Sequence, residues 1–254
     1  MIFVLGGRGF VGSAFERFFE KQQIPYKVIT RENYESCIGS SCDLLINANG
    51  NSKKFLGHQD PKWEFQASVA SVRNSLEDFN YQKYVFLSTS DVYADCSNPT
   101  STLEESSPSV SDLSTYGFHK YLAEQCVQHT ARDWLIIRMG GFVGPGLKKN
   151  AVYDLLNDQP LWVHPKSEFQ LIHSDDSAQL IMSLIEMKFS NEIFNLTAKH
   201  TISVEAISKL AGKSIDGKTE ATPVRYELST AKVEQHLNLP DTETCVKKFI
   251  QEAI

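Results

Sequence analysis

Met1-Ile2-Phe3-Val4-Leu5-Gly6-Gly7-Arg8-Gly9-Phe10-Val11-Gly12 is an apolar run that breaks into glycines. The apolar residues suit a short buried strand. The glycines permit a tight turn and let backbone N–H groups approach a pyrophosphate, and a helix starting near Phe10 and running to Gln22 turns its positive end toward the same point. The run satisfies Gly-x-Gly-x-x-Gly from Gly7 and Gly-x-x-Gly-x-x-Gly from Gly6. Such a turn either cradles a dinucleotide or only joins a strand to a helix, and its own residues do not separate the two.

Outward from this turn, strand-like and helix-like segments alternate through the first half. This favours a parallel sheet with helices on both faces. Strands are expected at Tyr26 to Ile29, Asp43 to Gly50, Tyr84 to Ser88 and Trp134 to Arg138, with helices from Pro61 to Phe79 and Ser114 to Thr130. After Gly144-Pro145-Gly146 the elements become shorter. Here Glu168 to His173 reads as a strand, Ser174 caps a helix through Lys188, Ile193 to Asn195 is a strand, and Thr242 to Ile254 a terminal helix. The expected fold class is α/β, a Rossmann doubly wound parallel sheet with a smaller C-terminal substrate-binding lobe. Residues 1–145 form the dinucleotide-binding domain, and 146–254 form mainly the lobe, with some segments returning to the first domain. Asp175 and Asp176 complement the dipole of the helix they open more readily than they make a metal pair.

With 254 residues, 41% hydrophobic and 22% charged, the chain can bury a full core and has the balance of an ordinary soluble globular protein. A net charge of -6 without a long basic run argues against nucleic acid or an anionic membrane as partner. The apolar start lacks a basic leader and a cleavage site, and no transmembrane run follows. Five scattered cysteines show neither a disulfide framework nor zinc spacing, so a cytoplasmic protein with reduced thiols is expected.

Two features bear on chemistry. Of nine tyrosines, Tyr116 alone is followed at the fourth position by a lysine, Lys120, and that spacing puts both side chains on one helix face. Beside an oxidised nicotinamide, the Lys120 ammonium would favour the ionised phenol and let Tyr116 move a proton. The second is Ser88-Thr89-Ser90-Asp91-Val92-Tyr93, a hydroxyl cluster at the carboxyl end of a strand, where open α/β sheets place ligands.

The glycine turn, Ser-Thr-Ser-Asp-Val-Tyr, Tyr116-x-x-x-Lys120 and Arg138 followed by Gly144-Pro145-Gly146 together resemble the extended short-chain dehydrogenase/reductases, the epimerase/dehydratase family, over nearly the whole chain. Members of that family mostly act on nucleotide-linked sugars. The resemblance implies Tyr116 as acid/base, Lys120 as its modulator and ribose ligand, and Thr89, ahead of Ser88 or Ser90, as hydrogen-bonder to the substrate oxygen. It also implies dinucleotide contacts at Gly6, Arg8, Gly9, Phe10, Val11, Gly12, Arg31, Asn47, Ala48 and Asn49, and a homodimer through the helices Pro61 to Phe79 and Ser114 to Thr130. Substrate contacts are expected from Thr89, Ser90, the stretch Asn49 to Lys54, Asn150 and Gln170, with Lys148 and Lys149 as diphosphate candidates against a solvated face.

Arg31 at the end of the second strand, with Arg8 facing it, suits a 2′-phosphate and hence NADP(H). Glu32 in that place instead suits the ribose of NAD(H). Family dehydratases carry an Asp-Glu pair after the Thr, where this chain has Ser90-Asp91, which disfavours dehydration. Epimerisation at C3 and C5 is not expected. The expected activity is 4-ketoreduction of a nucleotide sugar in polysaccharide or deoxysugar synthesis, with Tyr116 as proton donor. The alternatives are an NAD-dependent 4-epimerase, a reductase for another ketone, and a non-catalytic dinucleotide sensor.

Overall fold

The computed structural model describes residues 1–51, 54–215 and 220–253. Strands β1 (Ile2–Leu5), β2 (Tyr26–Ile29), β3 (Ser41–Asn47), β4 (Asn80–Thr89) and β5 (Trp134–Met139) pair in parallel, and with Glu192–Leu196 they make a six-stranded sheet in the order β2-β1-β3-β4-β5 and then Glu192–Leu196. Ile2 stands opposite Tyr26 on one side and Leu44 on the other. The strand order reverses between β1 and β3, and in sheets of this kind the crevice for a ligand opens at the carboxyl ends on either side of such a reversal.

Strands covered on both faces read as continuous apolar runs. In β4 every residue from Tyr84 to Thr89 is buried, and in β5 every residue after Trp134 is. Phe3, Leu5, Leu45, Phe86 and Ile136 of the sheet pack with Val72, Leu76, Ala123 and Val127 of the helices.

Helix α1 (Gly12–Gln22) begins two residues later than Phe10, because the N–H of Gly9 returns to the carbonyl of Gly6 and residues up to Val11 are used in the turn. The short α2 (Tyr34–Cys37) and α3 (Leu56–Gln59) follow. The helix expected from Pro61 to Phe79 is divided: α4 (Pro61–Phe65), capped by Asp60 with Pro61 at its first position, a π-helical stretch Gln66–Ala70, and α5 (Ser71–Asp78). α6 (Thr115–Thr130) is capped by the Ser114 hydroxyl, which accepts from the Gly117 N–H at 3.0 Å.

The chain forms two compact units. One comprises residues 1–94, 104–139 and 178–194, the other 95–103, 140–177 and 195 onward. In the second unit the strand expected from Glu168 to His173 is two strands in different sheets. Leu171–His173 pairs with Gly141–Val143, while Glu168–Phe169 lies between Ile202–Ser203 and Arg225–Tyr226. Gln170 separates them because its side-chain amide both donates to the carbonyl and accepts from the N–H of Leu228. Asp175 and Asp176 open the helix Ser174–Glu186, and Asp176 pairs with Lys248 at 2.6 Å. Among the described residues no group of acidic, His or Cys side chains is arranged to hold a metal, and no helix is long and apolar enough to cross a membrane.

Candidate active site

β4 ends at Thr89, and a tight 3-10 turn, Ser90–Val92, follows at the carboxyl edge of the sheet. The Thr89 hydroxyl donates to Oδ2 of Asp91 at 2.7 Å and accepts the Asp91 N–H at 3.3 Å. Lys54 also reaches Asp91, with Nζ 2.5 Å from Oδ2. Ser90 is buried within the same turn.

α6 brings Tyr116 and Lys120 to this turn, and Gly117 is what allows it. A Cβ on Gly117 would lie 2.0 Å from the Asp91 carbonyl oxygen, so only a residue without a side chain permits the helix to come so close. Tyr116 is 9% exposed, and its phenol is pushed well above the ordinary tyrosine value, first by burial and then by the charges of Asp91 and Glu64, with Thr89 acting in the opposite direction. Lys120 is 4% exposed, donates from Nζ to the Leu87 carbonyl at 2.9 Å, and lies 4.1 Å from the centre of the Phe86 ring. Burial lowers its ammonium to about 8, against the upward pull of Glu124, Glu64 and Asp91. Burial and the charges of Asp91 and Glu64 thus act against the ionised phenol, which the Tyr116/Lys120 spacing leads one to expect beside an oxidised nicotinamide.

Behind these groups, Arg138 of β5 makes two hydrogen bonds to Glu124, Nε to Oε1 at 3.1 Å and Nη2 to Oε2 at 2.8 Å, and a third to the Tyr93 hydroxyl at 2.9 Å. Ser88 donates to the same carboxylate. These side chains tie β4, β5 and α6 together and leave Thr89 as the hydroxyl of the cluster that faces Asp91.

The glycine turn lies beside the end of β3. A side chain on Gly6, whose φ is 73°, would begin 2.9 Å from Cα of Asn49 and 3.0 Å from the Ala48 carbonyl. Gly6 therefore lets the glycine turn pack directly against the backbone of Ala48 and Asn49, and the Gly6 and Ala48 N–H groups are held by the carbonyls of Ile29 and Leu5. Phe10 and Val11 complete the turn, the Phe10 carbonyl accepting from the Ser13 hydroxyl at 3.1 Å. Asn47 departs from its expected part: its amide donates to the Tyr84 hydroxyl at 2.7 Å and to Ser75, and its Oδ1 accepts the Asn49 N–H at 2.9 Å, so the side chain shapes the loop from within the core. After β2, Asn33 holds the Thr30 N–H at 2.7 Å and so fixes where Arg31 and Glu32 fall. Arg8 then meets Glu32 at 3.5 Å, both side chains exposed.

Gln170 and Asn150 belong to the second unit, and both side chains have partners there. Gln170 is engaged with Leu228, while Asn150 donates to the Phe142 carbonyl at 2.8 Å and caps the helix Ala151–Leu156. Of the candidate stretch Asn49 to Lys54, Ser52 and Lys53 lie outside the described residues. Three side chains with no signal in the sequence also stand beside the Tyr116 turn. They are Glu64, which is fully buried, with Ser68 and His119 hydrogen-bonded to it.

A parallel sheet with a glycine turn after β1, and a buried tyrosine and lysine one helical turn apart beside the end of β4, define a nucleotide-dependent α/β oxidoreductase of Rossmann type. The chain belongs to the NAD dependent epimerase/dehydratase family, whose sequence profile matches residues 38–197, and it is an NAD(P)-dependent enzyme of reductase or epimerase type. No curated protein sequence matches it. Among solved structures it is similar to a UDP-galactose 4-epimerase, with 20% identity over 99% of this chain and 97% of that one and a TM-score of 0.82. A dTDP-4-dehydrorhamnose reductase from Bacillus anthracis, in complex with NADP, is 15% identical over 99% and 97% of the two chains, with a TM-score of 0.82. A UDP-glucuronic acid 4-epimerase from Bacillus cereus, in complex with UDP-glucuronic acid and NAD, is 18% identical over 100% and 99%, with a TM-score of 0.77.

Proposed function

We propose that the chain is an NADP(H)-dependent reductase of a 4-keto nucleotide sugar, with Tyr116 as proton donor. The observation that carries the reading is a buried tyrosine, held protonated, on the helix turn shared with Lys120 and beside Thr89. A bound dinucleotide would supply the hydride that the carbonyl carbon takes up. Tyr116 gives its proton to the carbonyl oxygen, and the Lys120 ammonium stabilises the phenolate left behind. Thr89 transfers its hydrogen bond from Asp91 to the same oxygen and orients it. Burial and acidic neighbours hold the phenol in the protonated form from which a donor starts, and it is the Lys120 charge that makes release of that proton favourable.

Arg8 and Arg31 support NADP(H), since a 2′-phosphate offers Arg8 a stronger partner than a carboxylate 3.5 Å away. That same Arg8–Glu32 pairing favours a second reading, an NAD-dependent 4-epimerase with Glu32 on the ribose. Exposed Trp63 and Phe65 on α4 support a homodimer built on α4 to α6.

The test is a panel of 4-keto nucleotide sugars with NADPH, following oxidation of the cofactor, for wild type and Tyr116→Phe. Turnover that falls by about 10²–10⁴ in the variant, with dinucleotide binding kept, is the expected outcome. Equal turnover in the two proteins overturns the assignment of Tyr116. Interconversion of 4-epimers with retained NAD moves the reading to the epimerase.

A further inference from the structure

α4 buries a carboxylate that the reaction proposed above does not use. Glu64 is fully buried; its Oε2 meets Nδ1 of His119, and its Oε1 accepts the hydroxyl of Ser68 one turn along. His119 is itself buried, with its ring edge-on to Phe65 at 5.3 Å between centres. An ionised carboxylate is costly to bury, and a contact needed only for packing is better made by apolar side chains. His119 follows Tyr116 by three residues and immediately precedes Lys120, so Glu64 grips the same turn of α6 that carries both.

We propose that Glu64 is a positioning residue: clamped by Ser68 and His119, it holds the turn of α6 bearing Tyr116 and Lys120 and sets the negative charge those two groups face. The inference rests on the reading of Tyr116 as proton donor. The charged groups around the pair come from three directions. Asp91, from the turn after β4, carries Lys54 at 2.5 Å, and Glu124, from α6, carries Arg138 of β5 at 2.8 Å. Glu64, from α4, faces His119, and Lys62 lines a cavity of about 350 Å³ with His119 and Phe65. Asp91 and Glu124 thus each have a lysine or arginine to offset their charge, whereas the partners of Glu64 among the described residues are the His119 imidazole and the Ser68 hydroxyl. The Glu64 charge raises both the Tyr116 phenol and the Lys120 ammonium. Its loss lets both protons leave at lower pH.

The experiment places fluorotyrosine at position 116 of the full chain and follows its titration by fluorine NMR in otherwise wild-type protein and in Glu64→Gln, alongside the pH profile of kcat for unlabelled proteins. In Glu64→Gln the titration and the alkaline limb of kcat are expected to move down by on the order of one pH unit. The KM for the dinucleotide stays unchanged, and Glu64→Asp, which keeps the charge, returns the limb to its wild-type place. If Glu64→Gln does not fold, the apolar pair Glu64→Leu with His119→Phe carries the same test. An unmoved titration and an unmoved limb overturn the proposal while leaving the Tyr116 reading intact. A titration that moves in a protein whose turnover ignores Tyr116→Phe supports the charge effect and overturns that reading instead.

Discussion

Tyr116 and Lys120 are read together because each alone is unsuited to the task. A phenol raised by burial and by acidic neighbours gives up its proton only if the phenolate is met by a positive charge, and Lys120, one helical turn along α6, is the group proposed to supply it. Burial brings that ammonium down to about 8, so the charge is fully present well below this pH and is lost as pH rises through it. Since Tyr116 remains protonated over the same range, the reduction rate is expected to be level at lower pH and to fall up to tenfold per unit above about 8. Lys120→Met should be slow at every pH and lack the limb. A limb that persists in Lys120→Met assigns the titration to another group. Both residues were legible because four positions on one helix fix their common face whatever the fold. Glu64 and His119 lie 55 positions apart on different helices, so no local pattern in the sequence marks them as partners.

At the scale of elements, the site depends on how closely α6 approaches the turn after β4. Gly117 sets that distance, because a methyl group there would stand 2.0 Å from the Asp91 carbonyl, and backbone cannot yield as a flexible side chain can. Gly117→Ala should therefore push α6 back from Thr89. The overpacking costs about 1–3 kcal/mol of stability, while misplacing the proton donor relative to the substrate oxygen costs roughly 100-fold in kcat. Thermal denaturation and steady-state kinetics on the same preparation check this, and a loss of stability with unchanged kcat would show that the approach does not matter. Strands and helices were largely legible, since β3, β4 and β5 are apolar runs ending in polar or glycine residues. The π-helical stretch within Pro61 to Asp78 was not, because its residues suit an α-helix equally and nothing in their spacing marks the wider turn that lies against α6. Nor was the break at Gln170, which follows from hydrogen bonds to Leu228, a residue 58 positions away.

For the whole molecule, the choice of dinucleotide is a linkage question. A ligand that binds only the folded chain stabilises it by about 2.7 kcal/mol at 100 times its Kd, and each kcal/mol raises the unfolding midpoint of a domain of this size by roughly 2–4 °C. The sequence favours Arg8 and Arg31, hence NADP(H), over Glu32, although a shift of one residue after β2 exchanges a cation for a carboxylate. Asn33 fixes that register, and Arg8 and Glu32 come within 3.5 Å. A 2′-phosphate must then draw Arg8 away from Glu32 and tolerate the carboxylate nearby, whereas a ribose hydroxyl can donate to Glu32 directly. If Arg8 and Arg31 prevail, NADPH at a given concentration raises the midpoint more than NADH does, by scanning calorimetry. Arg8→Ala then removes the difference, and Glu32→Gln enlarges it. An equal or larger rise with NADH, abolished in Glu32→Gln, would instead make Glu32 the ribose ligand and turn the NADP(H) assignment to NAD(H).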